Sequence, residues 1–193
     1  MIWNEKMNCR TGNYVAFYVD EPFYEGNLGA YASYDFCYYQ MIKTWKATDS
    51  DFHFVNSHDK TYNVRDGSSW ELTLKPRLHD RLLRSKNIIL ILSSHTKSSR
   101  ALREEIDYGI NACGLPVIVI YPDFSQKTDI VDSRGNFLPQ ITNLWNKLPI
   151  FRDSMDDIAT VHIPFQKQLL KKVLNDPKFT VQHMGDGQYF FSV

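Results

Sequence analysis

Apolar positions along this chain recur at two spacings, and the two alternate. The run YVAFYVD (Tyr14 to Asp20) is short, aromatic and β-branched, which predicts a strand. After a glycine-containing loop, Tyr34, Cys37, Tyr38, Met41, Ile42 and Trp45 repeat at helical spacing. DFHFVN (Asp51 to Asn56) predicts a second strand, and the polar loop SHDKTYNVRDG follows it. Ser68 and Glu71 then have capping-box spacing. Leu74, Leu78 and Leu82 continue a helix in which Pro76 marks a kink or the first turn. NIILILSS (Asn87 to Ser94) is apolar at successive positions, so both of its faces must be buried, as in a central parallel strand. SSRALREEIDYGINACG (Ser98 to Gly114) is an amphipathic helix, and PVIVIYPD (Pro116 to Asp123) is a further strand of the buried kind.

This order predicts an α/β fold, an open parallel sheet with helices on both faces and right-handed crossovers. Beyond Asp123 the pattern is weaker. DSRGNFLPQITNLWNKLPIF predicts a loop and a short helix, Ile158 to Phe165 an edge strand, and QKQLLKKVLND a last helix. The tail FTVQHMGDGQYFFSV is expected to form a β-hairpin turning at Gly185, Asp186 and Gly187. With no repeat or linker, one domain is expected over residues 1–193. Its core covers about 14–124, an edge strand and helix about 156–176, and a C-terminal extension 177–193.

The helix from Ser98 carries two adjacent acids on different faces. At 100° per residue, Leu102, Ile106, Gly109, Ile110 and Cys113 form one apolar arc. Arg100, Arg103, Glu104, Asp107 and Asn111 lie opposite, so Glu104 is expected to face water. Glu105 falls inside the edge of the apolar arc, among Ala101, Gly109 and Ala112, all small. It is a carboxylate with room beside it.

Charge narrows the functions available. Lys+Arg and Asp+Glu are equal at 22 each, without a sustained basic run, so a phosphate-tracking nucleic-acid surface is not expected. The longest aliphatic run, Ile88 to Leu92, is too short to span a bilayer, and the N-terminus has no apolar leader, so no membrane partner is expected. Cys9, Cys37 and Cys113 are odd in number and far apart, which predicts reduced thiols in the cytoplasm. The six His never reach ligand spacing, so no metal is expected.

Open parallel sheets bind ligands at the carboxyl ends of their strands. That rule makes Asp20, Asn56 and Ser94 candidate substrate-binding residues, with Ala101 beside Glu105 on the following helix. GxGxxG, GxxxxGK[ST] and GxSxG are all missing, and Ser93-Ser94 stands where a receiver domain would need Asp. One carboxylate is enough for cleavage of an N-glycosidic bond whose base is already activated. Nicotinamide leaves NAD+ as a neutral molecule, so the reaction needs only a fixed negative group to offset the developing ribose cation. Ordinary glycosidases need a second carboxyl to protonate their leaving group.

Three stretches, YVAFYVD, LHDRLLRSKNIILILSSHTKSS and REEIDYGINACGLPVIVIYPDF, resemble the bacterial TIR-like family, and within it most closely the ThsB subunits of the Thoeris anti-phage system. The resemblance covers roughly residues 14 to 124. The family's catalytic Glu stands in an E-[IL]-x-x-[AG] context, matched here by Glu105-Ile106-Asp107-Tyr108-Gly109. The resemblance implies a flavodoxin-like TIR fold, Glu105 as the catalytic residue, and NAD+ as substrate with no separate cofactor. It also implies a cyclic ADP-ribose isomer as product, which activates a partner effector, ThsA, that depletes NAD+. The loop Ser57 to Ser69 occupies the position of the TIR BB loop, and TIR–TIR self-association is expected. One departure is Ala101, where many catalytic TIR domains have Trp. Two other readings stay open: a TIR interaction module without chemistry, and a nucleoside deoxyribosyltransferase.

Overall fold

The computed structural model describes residues 10–19, 34–58, 69–182 and 187–190. Five strands form one all-parallel sheet in the order of the chain: β1 (Gly12–Ala16), β2 (Ser85–Ile91), β3 (Val117–Tyr121), β4 (Ala159–Pro164) and β5 (Gly187–Phe190). Alternation along the strands divides the core in two. On β2, Ile88 and Leu90 point into one cluster, and Ile89 and Ile91 into the other. The first cluster is covered by α2 (Lys75–Leu83), α3 (Arg100–Asp107), α4 (Pro139–Trp145) and α5 (Pro149–Ser154). The second is covered by α1 (Tyr34–Thr48) and α6 (Lys167–Leu174). This is the flavodoxin-like TIR-like architecture, with helices on both faces.

The segment Asp51 to Asn56 runs along the outer side of β1 but pairs with it through a single parallel bridge, Asn13 to Asn56. Asn13 explains why. Its Oδ1 accepts the Val55 N–H at 2.7 Å, while its own N–H donates to the Val55 carbonyl. A side chain has taken the place of a ladder bond, so the expected second strand shrinks to one contact. Phe52 and Phe54 still fill the second core.

The helix before β2 starts differently from the expected capping box. Ser69 is the cap, its Oγ accepting from Leu72 N at 3.3 Å, and Ser68 lies outside the described residues. Glu71 reaches away to Arg100 at 2.5 Å. The first turn, Trp70–Leu74, is a widened π-type turn leading into α2, with Pro76 near the start of α2. A residue without an N–H is tolerated there because the wider turn shifts the hydrogen-bonding register ahead of it.

The tail also takes another course. Pro177–Phe179 is a 3-10 turn, and Val181 N donates to the Lys86 carbonyl, which ties the chain to the start of β2. Gly187–Phe190 then lies parallel to β4, so no hairpin forms among the described residues; the predicted turn at 185–186 lies outside them. In consequence β4 is not an edge strand, and all six of its positions are buried. Of the loop Ser57 to Ser69, residues 59–68 lie outside the described residues. No helix among the described residues is long and apolar enough to cross a membrane.

Candidate active site

Three parts of the sheet's first face meet in one cleft. The carboxyl end of β1 contributes Tyr14 and, just beyond the strand, Phe17 and Val19. The turn into α2 contributes Trp70 and Leu74, and α2 itself Arg77, Leu78 and Arg81. Ser99, Ala101 and Glu105 come from α3 and its cap, and His58 from the end of the outer segment. The cleft has a volume of about 360 Å3.

α3 can present Glu105 here because its start is fixed and its other side is anchored. Ser99 caps it, accepting from Leu102 N at 3.1 Å, and Leu102 and Ile106 are buried in the core. Tyr14 Oη donates to Glu105 Oε1 at 2.9 Å. Burial pushes the Glu105 carboxyl up to about 8, against the opposing pull of the Tyr14 hydrogen bond and the Arg81 charge. Burial also raises Tyr14 well above the phenol range, with the neighbouring Glu105 adding to it, so Tyr14 remains a donor.

His58 stacks near Tyr14, with ring centroids 4.6 Å apart. Its Nε2 bonds the Val15 carbonyl at 3.0 Å and must carry the hydrogen, since a carbonyl only accepts; Nδ1 is then an acceptor. Burial first, and the Arg81 charge second, push His58 down to about 4, so the ring is neutral at physiological pH. Trp70 forms an aromatic wall. The Arg100 guanidinium covers its ring at 4.8 Å and is itself held by Glu71. The cleft therefore has a Trp wall beside Ala101, supplied by another helix.

The small residues around Glu105 divide by role. Ala101 borders the cleft. A Cβ on Gly109 would run into Ile88 Cδ1 and come within 3.3 Å of Leu82 Cδ2, so its smallness serves close packing on the sheet. Ala112 is exposed. The expected room is therefore at Ala101 alone. Glu104 is not a free solvent-side residue. Its Oε1 meets His79 Nε2 at 2.7 Å and Lys75 Nζ at 3.2 Å, joining α3 to α2.

The other candidates fall outside the cleft lining. Asn56 Nδ2 donates to Tyr39 Oη at 2.7 Å, and its Oδ1 accepts the His58 N–H, so it positions His58 from behind. Ser94 donates its N–H to Asp123 Oδ2 at 2.5 Å, and its carbonyl accepts Lys147 Nζ at 2.6 Å. Both of its backbone groups are thus engaged in fixing the end of β2. Ser93 is likewise internal, donating to the buried Asp35 carboxyl at 2.5 Å. Asp20 lies outside the described residues. Among the described residues no group of three His, Cys, Asp or Glu is placed to hold a metal ion.

Tyr14, His58, Trp70, Arg77 and Arg81 escaped the sequence reading because they come from elements distant in the chain. Arg77 and Arg81 alone carried a local signal, four residues apart on one helix face. Residues 14–127 match the family described as Thoeris protein ThsB, TIR-like domain. That match spans β1 to β3, contains every residue lining the cleft, and covers more than half of the sequence. The chain therefore belongs to the ThsB TIR-like family of Thoeris anti-phage defence proteins.

Proposed function

We propose that this protein cleaves the nicotinamide–ribose bond of NAD+ and closes the product into a cyclic ADP-ribose isomer, a cytoplasmic signal that activates the NAD+-depleting effector ThsA during infection. The observation that carries this reading is Glu105, whose carboxyl stands in an aromatic-walled cleft and is held by the Tyr14 hydroxyl at 2.9 Å.

In the empty cleft Glu105 keeps its proton up to about pH 8. A cationic nicotinamide ring brings the opposite charge into the same low-dielectric space, which favours the carboxylate. As the glycosidic bond lengthens, positive charge moves onto the ribose, and the carboxylate beside it is worth more there than in water. Nicotinamide departs neutral, so no general acid is required. A hydroxyl of the same molecule then bonds to the ribose carbon and releases one proton. Glu105, having lost its cationic neighbour, regains a high proton affinity and takes it up. The overall change is NAD+ to cyclic ADP-ribose isomer, nicotinamide and a proton. Cyclisation requires water to be kept from the cation, and self-association that covers the cleft mouth would do so.

The test is mass spectrometry of small molecules after incubating wild-type protein and Glu105→Gln with NAD+ and with deoxynucleosides, alone and in phage-infected extract. Nicotinamide and a cyclic product from wild type alone support the reading. Untouched NAD+ in infected extract, with the protein folded, would leave the interaction-module reading. Base exchange between deoxynucleosides would favour the transferase.

A further inference from the structure

The cleft contains more positive charge than one carboxylate explains. Arg77 and Arg81 are one helical turn apart on α2, and both line it. The Arg81 charge acts on three of the cleft's titratable groups, opposing ionisation of His58 and favouring ionisation of Tyr14 and Glu105. The remaining titratable lining residues are Tyr14, His58 and Glu105. With Tyr14 and His58 uncharged, two guanidiniums face at most one carboxylate. The cleft is cationic in either state of Glu105, and the cations lie on the α2 wall, across from the α3 wall that carries the acid.

We infer that Arg77 and Arg81 form a diphosphate site, gripping the two phosphates of a nucleoside diphosphate so that the rest of the ligand points toward Glu105. Side chains four apart on a helix leave it about 5–6 Å apart at their Cβ atoms, a spacing suited to two adjacent phosphates. Each guanidinium presents a planar fork that matches phosphate oxygens, and enclosure strengthens the contact. Glu105 would repel a bound anion if it stood between the arginines; its hydrogen bond to Tyr14 keeps it on the β1 side. The cleft is thereby polarised, with an anion-binding end at α2 and a cation-stabilising end at Glu105. NAD+ has the same polarity, two phosphates at one side of its ribose and a cationic ring at the other. The assignment of the anion to a dinucleotide rests on the NAD+ reading of this cleft; the diphosphate site itself does not.

The experiment is titration calorimetry of the full chain with ADP and with nicotinamide riboside, which has no phosphate. The variants are Arg77→Met, Arg81→Met and the charge-retaining Arg77→Lys and Arg81→Lys. Wild type should bind ADP, more weakly as salt rises. Each Met variant should bind it about tenfold or more weakly, with Lys between. Nicotinamide riboside affinity should change by less than about twofold. ADP affinity that is unchanged in Met variants with native circular dichroism, or absent in wild type, overturns the site. If a Met variant fails to fold, the Lys variant decides: undiminished ADP affinity there overturns the site. Glu105→Gln should lose turnover while keeping ADP affinity. Arginine-dependent ADP binding without any NAD+ turnover would sink the NAD+ reading and keep the site. Turnover with unaltered KM in both Met variants would sink the site and keep the reading.

Discussion

Tyr14 on β1 and Glu105 on α3 are joined by a 2.9 Å hydrogen bond in which the phenol donates to the carboxyl, across 91 positions of sequence. Because the phenol's own ionisation is suppressed, the bond favours the ionised carboxylate against the burial that opposes it. Tyr14→Phe removes the donor and little volume. The Glu105 carboxyl should then rise further above its present value of about 8. Bonds to charged groups are worth about 1.5–3 kcal/mol, and a pKa unit about 1.4 kcal/mol, so the rising limb of kcat/KM for NAD+ should move up by about one unit. Activity at neutral pH should fall about tenfold, and recover as the pH is raised. pH–rate profiles of the two proteins check this; an unmoved limb would make Tyr14 a packing residue only.

Glu105→Gln should lower formation of the cyclic product by about 10²–10³, the usual cost of losing one preorganised electrostatic group. Its stability should show the opposite sign. The folded chain holds the Glu105 proton up to about pH 8, whereas the unfolded chain releases it near the model value of 4.5. Between those values the folded state binds more protons. The favourable contribution of neutral Glu105 is therefore complete below pH 4.5 and lost as the pH rises through 8. Gln has no such loss, so its thermal midpoint should gain on wild type between pH 5 and pH 9. Calorimetric scans across that range test it, and a difference independent of pH would refute the burial of a protonated Glu105.

The sheet was legible in the sequence wherever burial on both faces forced a continuous apolar run, as at NIILILSS and PVIVIYPD. It was less legible where one polar side chain decided the outcome. Asn13 intercepts the pairing of Asp51–Asn56 with β1, and no hydrophobic pattern reports that. The tail GQYF reads equally well as a hairpin arm and as a parallel edge strand, since both expose the same alternation. It lies beside β4, where the buried His162 meets Gln188 at 2.5 Å. Glu105 was visible because its own helix carries its context. The other cleft walls were not, because Tyr14, His58, Trp70 and Arg81 meet only after three crossovers. Helical projection also misplaced Glu104. It shows which side of its own helix a residue takes, not that α2 lies there.

Glu104→Gln should accordingly be mildly destabilising. Burial pushes its carboxyl up, but the hydrogen bonds from His79 and Lys75 together outweigh that and hold it below the ordinary range. The side chain is 21% exposed, so the bridge is partly screened and worth about 0.5–1 kcal/mol. That contribution is present above pH 4.5 and lost as the pH falls through the lowered folded value. Urea unfolding at pH 7 should show the deficit, and at pH 3 it should shrink. Product formation should stay near wild type, and a loss as large as that of Glu105→Gln would place Glu104 in the chemistry.

Gly109 lies one helical turn beyond Glu105 and sets how closely this helix approaches the sheet. Its π-type turn, Tyr108–Ala112, lets α3 settle with Gly109 directly against Ile88 of β2. Gly109→Ala would normally stabilise a helix by about 1 kcal/mol through propensity. Here the added methyl meets Ile88 Cδ1, and Ile88 is 1% exposed with no free space to turn into. Overpacking of this kind costs about 1–3 kcal/mol, so the net effect should be destabilisation. Relief by outward movement of the helix would carry Glu105 away from Tyr14 Oη, and misplacement by about 1 Å can cost about 10² in rate. The variant should therefore lose both stability and product formation. Ile88→Val in the same chain should restore part of each, because it removes the methyl that is struck. Calorimetric midpoints and product yields of the single and double variants decide it: a stabilised Gly109→Ala, or a double variant no better than the single, would show that the close approach at Gly109 does not position Glu105.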